Sequence, residues 1–489
     1  MNLIIDVLER FPASKPALLA IGADGERRVW HFGELIARSA GLSGAFAARG
    51  VRRGDVVMTL AGNRVEWVLS LLACWRMGAV ALPCSTQLRR RDLELRVDAT
   101  DPQLCVGEEE LLGELPDDLS AMTMADAADA LDEDRPQEMP MAEADLDPED
   151  PALIVFTSGT TGEPRAALHA QRYLTGQRAQ AEHWLGARNG DLVWCTTATG
   201  WSKSARNVFL APWLQGAAAV ISDARFDPHE RLTLIEREQV SVLCQAPTEY
   251  RMLAARADVR PLPSLRRAVS AGEPLDADVI AAWRDAASIE VHDGYGQTET
   301  GHLTGNLVGD PIRDGSMGRP LPGFELRIVP DGGEDGDDSA GELQVRRESC
   351  PTFFSRYLDG DPFTDEWWPT GDLVREDDDG YLWFEGRRDD LILSAGYRIG
   401  PSEVESALLT HPAVADAAAV PAPDPERGAV VKAIVVLREG TPSDALAREL
   451  QDHVKGVTAP YKFPRIVEFA SELPRTASGK LRRAALRSP

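Results

Sequence analysis

The 489-residue chain is short of positive charge: 52 lysines and arginines stand against 78 aspartates and glutamates, a formal net charge of −26. A surface of that sign repels the phosphates of nucleic acid and of an anionic membrane, so neither is expected as a partner. Small anionic ligands are not excluded, because a cleft can hold a local charge opposite to the global one. By itself the excess acid serves solubility. Patterned cysteine is also missing. Cys74, Cys84, Cys105, Cys195, Cys244 and Cys350 are scattered, with no CxxC and no metal-like spacing. That fits a reduced, cytoplasmic protein whose thiols are mostly buried. No run is long and apolar enough for a bilayer, since "EWVLSLLACWRMGAVALP" is interrupted by Arg76. The start, "MNLIIDVLERFPASKPALLA", carries Asp6 and Glu9 where a signal or transit peptide would be basic or free of acid. A soluble intracellular protein without a membrane span is expected, and no internal repeat is evident.

What remains is ordinary for a globular protein: 43% hydrophobic and 27% charged residues, enough for a sizeable core. The length suggests about two or three structural units. "WHFGELIARSAGLSGAFAARG" places Phe32, Leu35, Ile36, Leu42 and Phe46 near a 3.6-residue period and stops at Gly50, an amphipathic helix with a glycine at its end. "DVVMTLAG" and "GAVALP" read as buried strands on either side of an apolar helix around Val68 and Trp75. Strands alternating with helices predict an α/β architecture. Residues 107–150 turn acidic and read as a surface connection. "PDGGEDGDDSAGELQV" reads as an exposed turn between two strands, without EF-hand spacing. After "GYLWFEGRRDDLILSAGYRIG" the texture changes to a short α+β pattern. The expected fold class is therefore α/β: a large N-terminal domain of αβ-layered subdomains, residues 1–388, and a small α+β C-terminal domain, residues 389–489.

"IVFTSGTTGEPRAAL" leaves a buried strand and then gives nine positions, 157–165, to hydroxyls, glycines, a proline, an acid and a base. Connections of this kind usually take about two to six residues. Gly159 and Gly162 permit positive φ, Thr157, Ser158, Thr160 and Thr161 offer hydroxyls, and Arg165 adds a cation. Such a loop can form a nest of N–H groups for phosphate oxygens. It is not a Walker A loop, and a polar surface loop is the lesser alternative when the stretch is taken alone. Three further segments stand beside it. "DGYGQTETG" offers Glu299 for a hard cation such as Mg²⁺, "TGDLVREDDDGYLWFEGRRDD" offers Asp372 for a ribose diol, and "PRTASGKLRR" presents Lys480 after a glycine.

In this order and spacing these segments, with "GRRDDLILSAGYRIGPSEVE", resemble the core motifs of the acyl-adenylate-forming superfamily of acyl-CoA synthetases, luciferases and adenylation domains. "GWSKSARNVFLAPWLQGA", "SAGEPL", "PDPERGAVVKAIVVL" and "VTAPYKFPRIVEF" resemble its medium-chain acyl-CoA synthetases. The resemblance implies an ATP-dependent, AMP-forming carboxylate–CoA ligase for a short- or medium-chain fatty or related acid. Its cofactors and co-substrates would be ATP, Mg²⁺ and CoA.

By that resemblance, Thr157, Ser158, Gly159, Thr160, Thr161, Gly162 and Arg165 hold the ATP phosphates, with arginine at 165 where the superfamily usually has lysine. Thr298 contacts the α-phosphate and Glu299 holds Mg²⁺. Gly272, Glu273, Pro274, Gly294 and Tyr295 form the adenine wall. Asp372 and Arg387 bind ribose, and Arg398 lies near the phosphate. Lys480 is the cation of adenylation, Asp389 the hinge of a mobile C-terminal domain, and Gly396 lies beside the CoA channel. Trp201, Gln297 and Gly301 are candidates for the acyl pocket, though Trp201 suits plain core almost as well. Lys203 and Arg206 are the few basic residues nearby, so an apolar acyl tail is expected over a dicarboxylic acid. Two alternatives stand: an adenylating enzyme that loads a separate carrier protein, and a degenerate nucleotide-binding homologue.

Overall fold

A computed structural model describes the chain except for residues 117–118, 130–142, 158–163, 274, 276, 331–339, 391, 395–396, 425–427, 459, 476–480 and 488–489, and except for the side chains of residues 389, 393, 397, 398, 428 and 484. Contacts divide it into two compact units. The larger comprises Met1–Thr157, Pro164–Glu325 and Arg347–Glu366; Leu326–Arg346 and Trp367–Pro489 belong to the smaller. The α/β class expected from the alternating pattern is the one found.

Among the described residues the larger unit holds a nine-stranded and a seven-stranded sheet. In the first, Pro16–Ile21, Ala218–Ser222, Leu192–Cys195, Val242–Gln245, Arg267–Ala271 and Val291–Gln297 run parallel, in that order. The chain then reverses, and Gly301–Gly305 pairs antiparallel with Val291–Gln297. In the second, Val56–Leu60 lies parallel between Val80–Cys84 and Leu104–Gly107. Pro151–Phe156 lies parallel to Val80–Cys84 on one side and antiparallel to Ala166–Ala170 on the other. Parallel strands covered on both faces read as apolar runs, and Val80–Cys84 is buried throughout. Met58, Leu60, Leu82, Ile154 and Phe156 point to one face of this sheet and pack on Leu93.

The helices obey the same logic. Phe32–Ala48 starts where the Glu34 carboxylate accepts the His31 N–H at 2.9 Å, and Gly50 follows its end at φ +91. Val65–Met77 buries residues on every side from Trp67 to Met77, so it is a core helix, and it ends on left-handed Gly78. No helix among the described residues is long and apolar enough to cross a membrane.

The smaller unit contains a four-stranded antiparallel sheet, Leu326–Pro330, Ala340–Arg346, Trp367–Glu376 and Leu382–Arg387. The turn expected after Pro330 falls at 331–339, outside the described residues. A second sheet is built on the long hairpin of Val414–Asp424 with Gly428–Leu437, to which Ile466–Phe469 adds in parallel. Helices Pro401–Leu409 and Asp444–Val457 pack on it through Val404, Leu408, Leu450 and Val454.

Candidate functional site

Ligands of open α/β sheets bind beyond the carboxyl ends of parallel strands, and the sequence places its polar segments there. Pro151–Phe156 ends at Thr157, whose N–H donates to the Arg165 carbonyl at 2.9 Å and closes the neck of the 157–165 loop. Ser158, Gly159, Thr160, Thr161 and Gly162 lie outside the described residues. Arg165 is fixed as it leaves the loop. Its guanidinium donates to both Asp359 oxygens, at 2.9 and 3.1 Å, and stacks 3.7 Å from the centroid of Tyr357.

The nine-stranded sheet contributes two strand ends. Arg267–Ala271 runs into Gly272 and Glu273. Gly272 has φ +104, a conformation that larger residues rarely adopt, and a Cβ there would lie 2.6 Å from the Lys203 Nζ. Glu273 accepts from the Thr248 hydroxyl at 2.7 Å and from Arg251 at 3.3 Å. Pro274 lies outside the described residues. Val291–Gln297 carries Gly294 and the half-buried Tyr295, then turns through Thr298 and Glu299 into Gly301. The Gln297 N–H donates to the Thr300 hydroxyl at 3.2 Å, holding the turn.

One contact set brings the two sheets' ends together. Arg356–Tyr357 is an edge strand on Ala166–Ala170. The Tyr357 hydroxyl donates to Glu299 Oε1, and the Phe354 N–H donates to the Glu299 carbonyl at 2.7 Å. Burial, then the charge of Glu299, pushes the Tyr357 pKa up, so the phenol stays a donor. The exit of the 157–165 loop, Arg165, Tyr357 and Glu299 are thus linked side chain to side chain. Glu299 is a lone carboxylate: no cluster of three or more acidic, histidine or cysteine residues able to hold a metal occurs among the described residues. One carboxylate plus substrate phosphates is a normal donor set for Mg²⁺, so the residue fits that ion.

Trp201 follows Gly200, whose φ of +85 and approach to the Ser85 backbone, 2.3 Å from a built Cβ, admit only glycine. The Trp201 side chain is half-buried, and its carbonyl accepts the Ser204 N–H at 2.9 Å. A helical run starts at Lys203 and widens to π geometry over Arg206–Leu210. Arg206 is buried at 2% exposure with Nε and Nη1 unpaired. Around it lie His169, at 0% exposure, and His302, at 2%, each with both ring nitrogens unpaired. Burial, then the charge of Arg206, lowers His169 to about 3 and His302 well below its ordinary value; both are neutral at pH 7.

In the smaller unit the Asp372 carboxylate is buried at 4% and accepts from Arg387 Nη1 at 3.0 Å. The two are cross-strand partners, and Gly371 at φ +70 leaves room for the guanidinium. Asp389 lies in the turn Arg388–Asp390, and Arg398 in the strand Tyr397–Ile399, opposite Leu393. The side chains of Asp389 and Arg398, like Gly396 and Lys480, are outside the described residues.

Tyr357 and Asp359 escaped sequence reasoning, which placed Lys203 and Arg206 near the acid but gave Arg206 no role. "FFSRYLDGDP" has no motif texture. Its importance comes from non-local strand pairing, and the one available signal was an aromatic beside an acid.

With this geometry established, comparison with known proteins is informative. The AMP-binding enzyme family matches residues 6–358, and the AMP-binding enzyme C-terminal domain matches residues 403–480. The chain is 37% identical to an uncharacterized acyl-CoA ligase, YtcI, of Bacillus subtilis, across 99% of this chain and 95% of that one. It is 38% identical to the mitochondrial acyl-coenzyme A synthetase ACSM3 of Mus musculus, covering 97% and 86%. Among solved structures, the anthranilate CoA ligase AuaEII in complex with anthranoyl-AMP superposes with a TM-score of 0.86 at 31% identity, covering 99% and 96%. The chain belongs to the AMP-binding enzyme family, as a ligase of its acyl-CoA synthetase group.

Proposed function

We propose that this AMP-forming acyl-CoA synthetase activates a short- or medium-chain fatty or related carboxylic acid as acyl-AMP and passes the acyl group to CoA, in fatty-acid metabolism. The observation that supports the reading is the Arg165–Tyr357–Glu299 linkage, which joins the exit of the 157–165 loop to the Glu299 carboxylate. Thr157, Ser158, Gly159, Thr160, Thr161, Gly162 and Arg165 hold the polyphosphate. Gly272, Glu273, Pro274, Gly294 and Tyr295 flank adenine. Asp372, held by Arg387, accepts from the ribose hydroxyls, and Arg398 serves the phosphate. Glu299 holds Mg²⁺, which when bound neutralises phosphate charge. Trp201, Gln297 and Gly301 border the acid.

In the first step a carboxylate oxygen of the acid attacks the α-phosphorus and pyrophosphate leaves. Thr298 donates to the α-phosphate as charge builds on its oxygens, and Lys480 brings a cation to both reacting anions. Positioning and electrostatics are the whole of this chemistry. In the second step the CoA thiol, having lost its proton, attacks the acyl carbonyl and AMP departs; Gly396 leaves space for that thiol's arm. Movement about Asp389 separates the two steps. It is a property of the cycle, distinct from the division of the chain by contacts.

Lys480→Ala is the test. It is expected to abolish adenylate formation, read by pyrophosphate exchange, while thioester formation from supplied acyl-adenylate stays largely intact. Equal loss of both would contradict the assignment. We place the enzyme in the cytoplasm, supported by six cysteines that are all free and buried; recovery in an organelle fraction would contradict this.

A further inference from the structure

Buried arginines in this chain generally have acceptors. Arg231 meets Glu249 at 3.3 Å, Arg76 meets Glu143, and Arg267 donates to the carbonyls of Trp184 and Asn306 at 2.7 and 2.8 Å. Arg206 differs. Among the described residues it has no carboxylate and no carbonyl, and Nε and Nη1 are both buried and unpaired. Tyr173 lies beside its guanidinium, but burial raises the phenol's pKa, so it is neutral and supplies no counter-charge. His169 and His302 are neutral for the reason given above. Among the described residues this leaves a permanent cation, in a strongly acidic protein, with no counter-ion.

The position is informative. A Cβ at Gly301 would lie 3.5 Å from Arg206 Nη1, and Gly301 pairs across the hairpin with Gln297. Arg206 therefore borders the residues assigned to the acid, just past the turn that carries Thr298 and Glu299. Lys203, one helical turn earlier, donates to the Ala271 carbonyl and has no carboxylate partner among the described residues. The helix that carries both cations widens to π geometry at Arg206, a local irregularity frequent at binding sites. Beside it a second π stretch, Gln180–Trp184, is tied on by the Gln180 amide donating to the Asn207 side chain at 3.0 Å.

We propose that Arg206, with Lys203 beside it, forms a carboxylate-accepting subsite in the acyl pocket, so that the preferred acid carries a second carboxylate. This rests on the reading above that the acid lies against Trp201, Gln297 and Gly301, and it replaces the sequence-based expectation of a plain apolar tail. An arginine cannot shed its proton, so the counter-charge has to arrive with the ligand. A guanidinium can present two N–H groups to one carboxylate, which is the contact a second carboxylate on the acid would make.

The test compares monocarboxylates with dicarboxylates of equal length, from four to eight carbons, with hexanoate against adipate as the central pair. Thioester formation is measured for the full-length enzyme and for Arg206→Met. At the best length the dicarboxylate is expected to exceed its monocarboxylate in kcat/KM by about a hundredfold or more, with Arg206→Met reversing the order mainly through KM. A wild-type preference for monocarboxylates at every length overturns the proposal. So does an equal loss for both series in Arg206→Met, which would mean that Arg206 holds the reacting carboxylate.

Thermal melting supplies a readout independent of turnover. Ligand-free Arg206→Met is expected to melt at or above the wild-type temperature, because it removes an unpaired buried charge; a large drop would mark Arg206 as a structural cation and overturn the proposal. A dicarboxylate is expected to raise the wild-type melting temperature and not that of the variant. If no acid of either series supports turnover, the ligase reading fails, while a dicarboxylate-dependent melting shift that Arg206→Met removes would still support the subsite.

Discussion

Tyr357 is the residue on which the two strand ends of the larger unit converge: Arg165 stacks on its ring and Glu299 accepts from its hydroxyl. A hydrogen bond to a charged acceptor contributes about 1.5–3 kcal/mol, so Tyr357→Phe is expected to lower the rate of adenylate formation by roughly ten- to a hundredfold. Pyrophosphate exchange measures it, and the apparent Mg²⁺ requirement should rise in parallel. An unchanged exchange rate would remove Tyr357 from the site. At this scale the sequence was legible where chemistry is local. The hydroxyl-and-glycine loop, "GYGQTETG" and "TGD" announce polar cargo by composition alone, and Asp372 and Arg387 do meet at 3.0 Å. It was silent on Tyr357, Asp359 and the burial of Arg206. Each depends on partners far along the chain.

Elements were more legible than residues, because periodicity is a local property. The 3.6-residue spacing of Phe32, Leu35, Leu42 and Phe46 yields the helix Phe32–Ala48, and the α+β pattern expected at the C-terminal end includes the helices Pro401–Leu409 and Asp444–Val457. The π stretches Gln180–Trp184 and Arg206–Leu210 had no signature, since a wider turn is imposed by packing rather than by propensity. Caps are testable at this scale. Ser443 accepts the Leu446 N–H at 3.2 Å, and Ser443→Ala is expected to cost the helix about 1 kcal/mol. A chain of two compact units need not unfold in one step, so hydrogen exchange is the suitable readout. Faster exchange across the first turn of Asp444–Val457 is expected; unchanged protection would show that the cap contributes nothing.

Over the whole molecule, the buried His169 and His302 and the half-buried His292 make stability depend on pH. His169 and His292 are lowered to about 3, first by burial, and His302 is lowered for the same reason. The unfolded chain protonates them near their ordinary value of 6.5. Below that pH the unfolded state binds more protons than the folded one, so stability falls as the pH drops from about 6.5 toward about 3. The slope is up to about 1.4 kcal/mol per pH unit for each histidine. Melting at pH 7.5 and 5.5 checks this: the wild type should lose stability at the lower pH and His169→Gln should lose less. An identical loss in both would mean that His169 is not held neutral.

At this scale the α/β class was readable from strand–helix alternation, and the net charge was readable by counting. The pairing of Leu326–Pro330 and Ala340–Arg346 with Trp367–Glu376 into the smaller unit was not, because strand order across intervening segments has no local signal. The measurement that bears most directly on the proposed reaction is carboxylate-dependent ATP–pyrophosphate exchange by the full chain, with CoA consumption followed in the same samples. Exchange that depends on the acid, accompanied by CoA use and AMP release, is the expected result. Exchange without CoA use would contradict CoA as the acceptor and point to a carrier protein, and no exchange with any mono- or dicarboxylic acid would contradict the ligase itself.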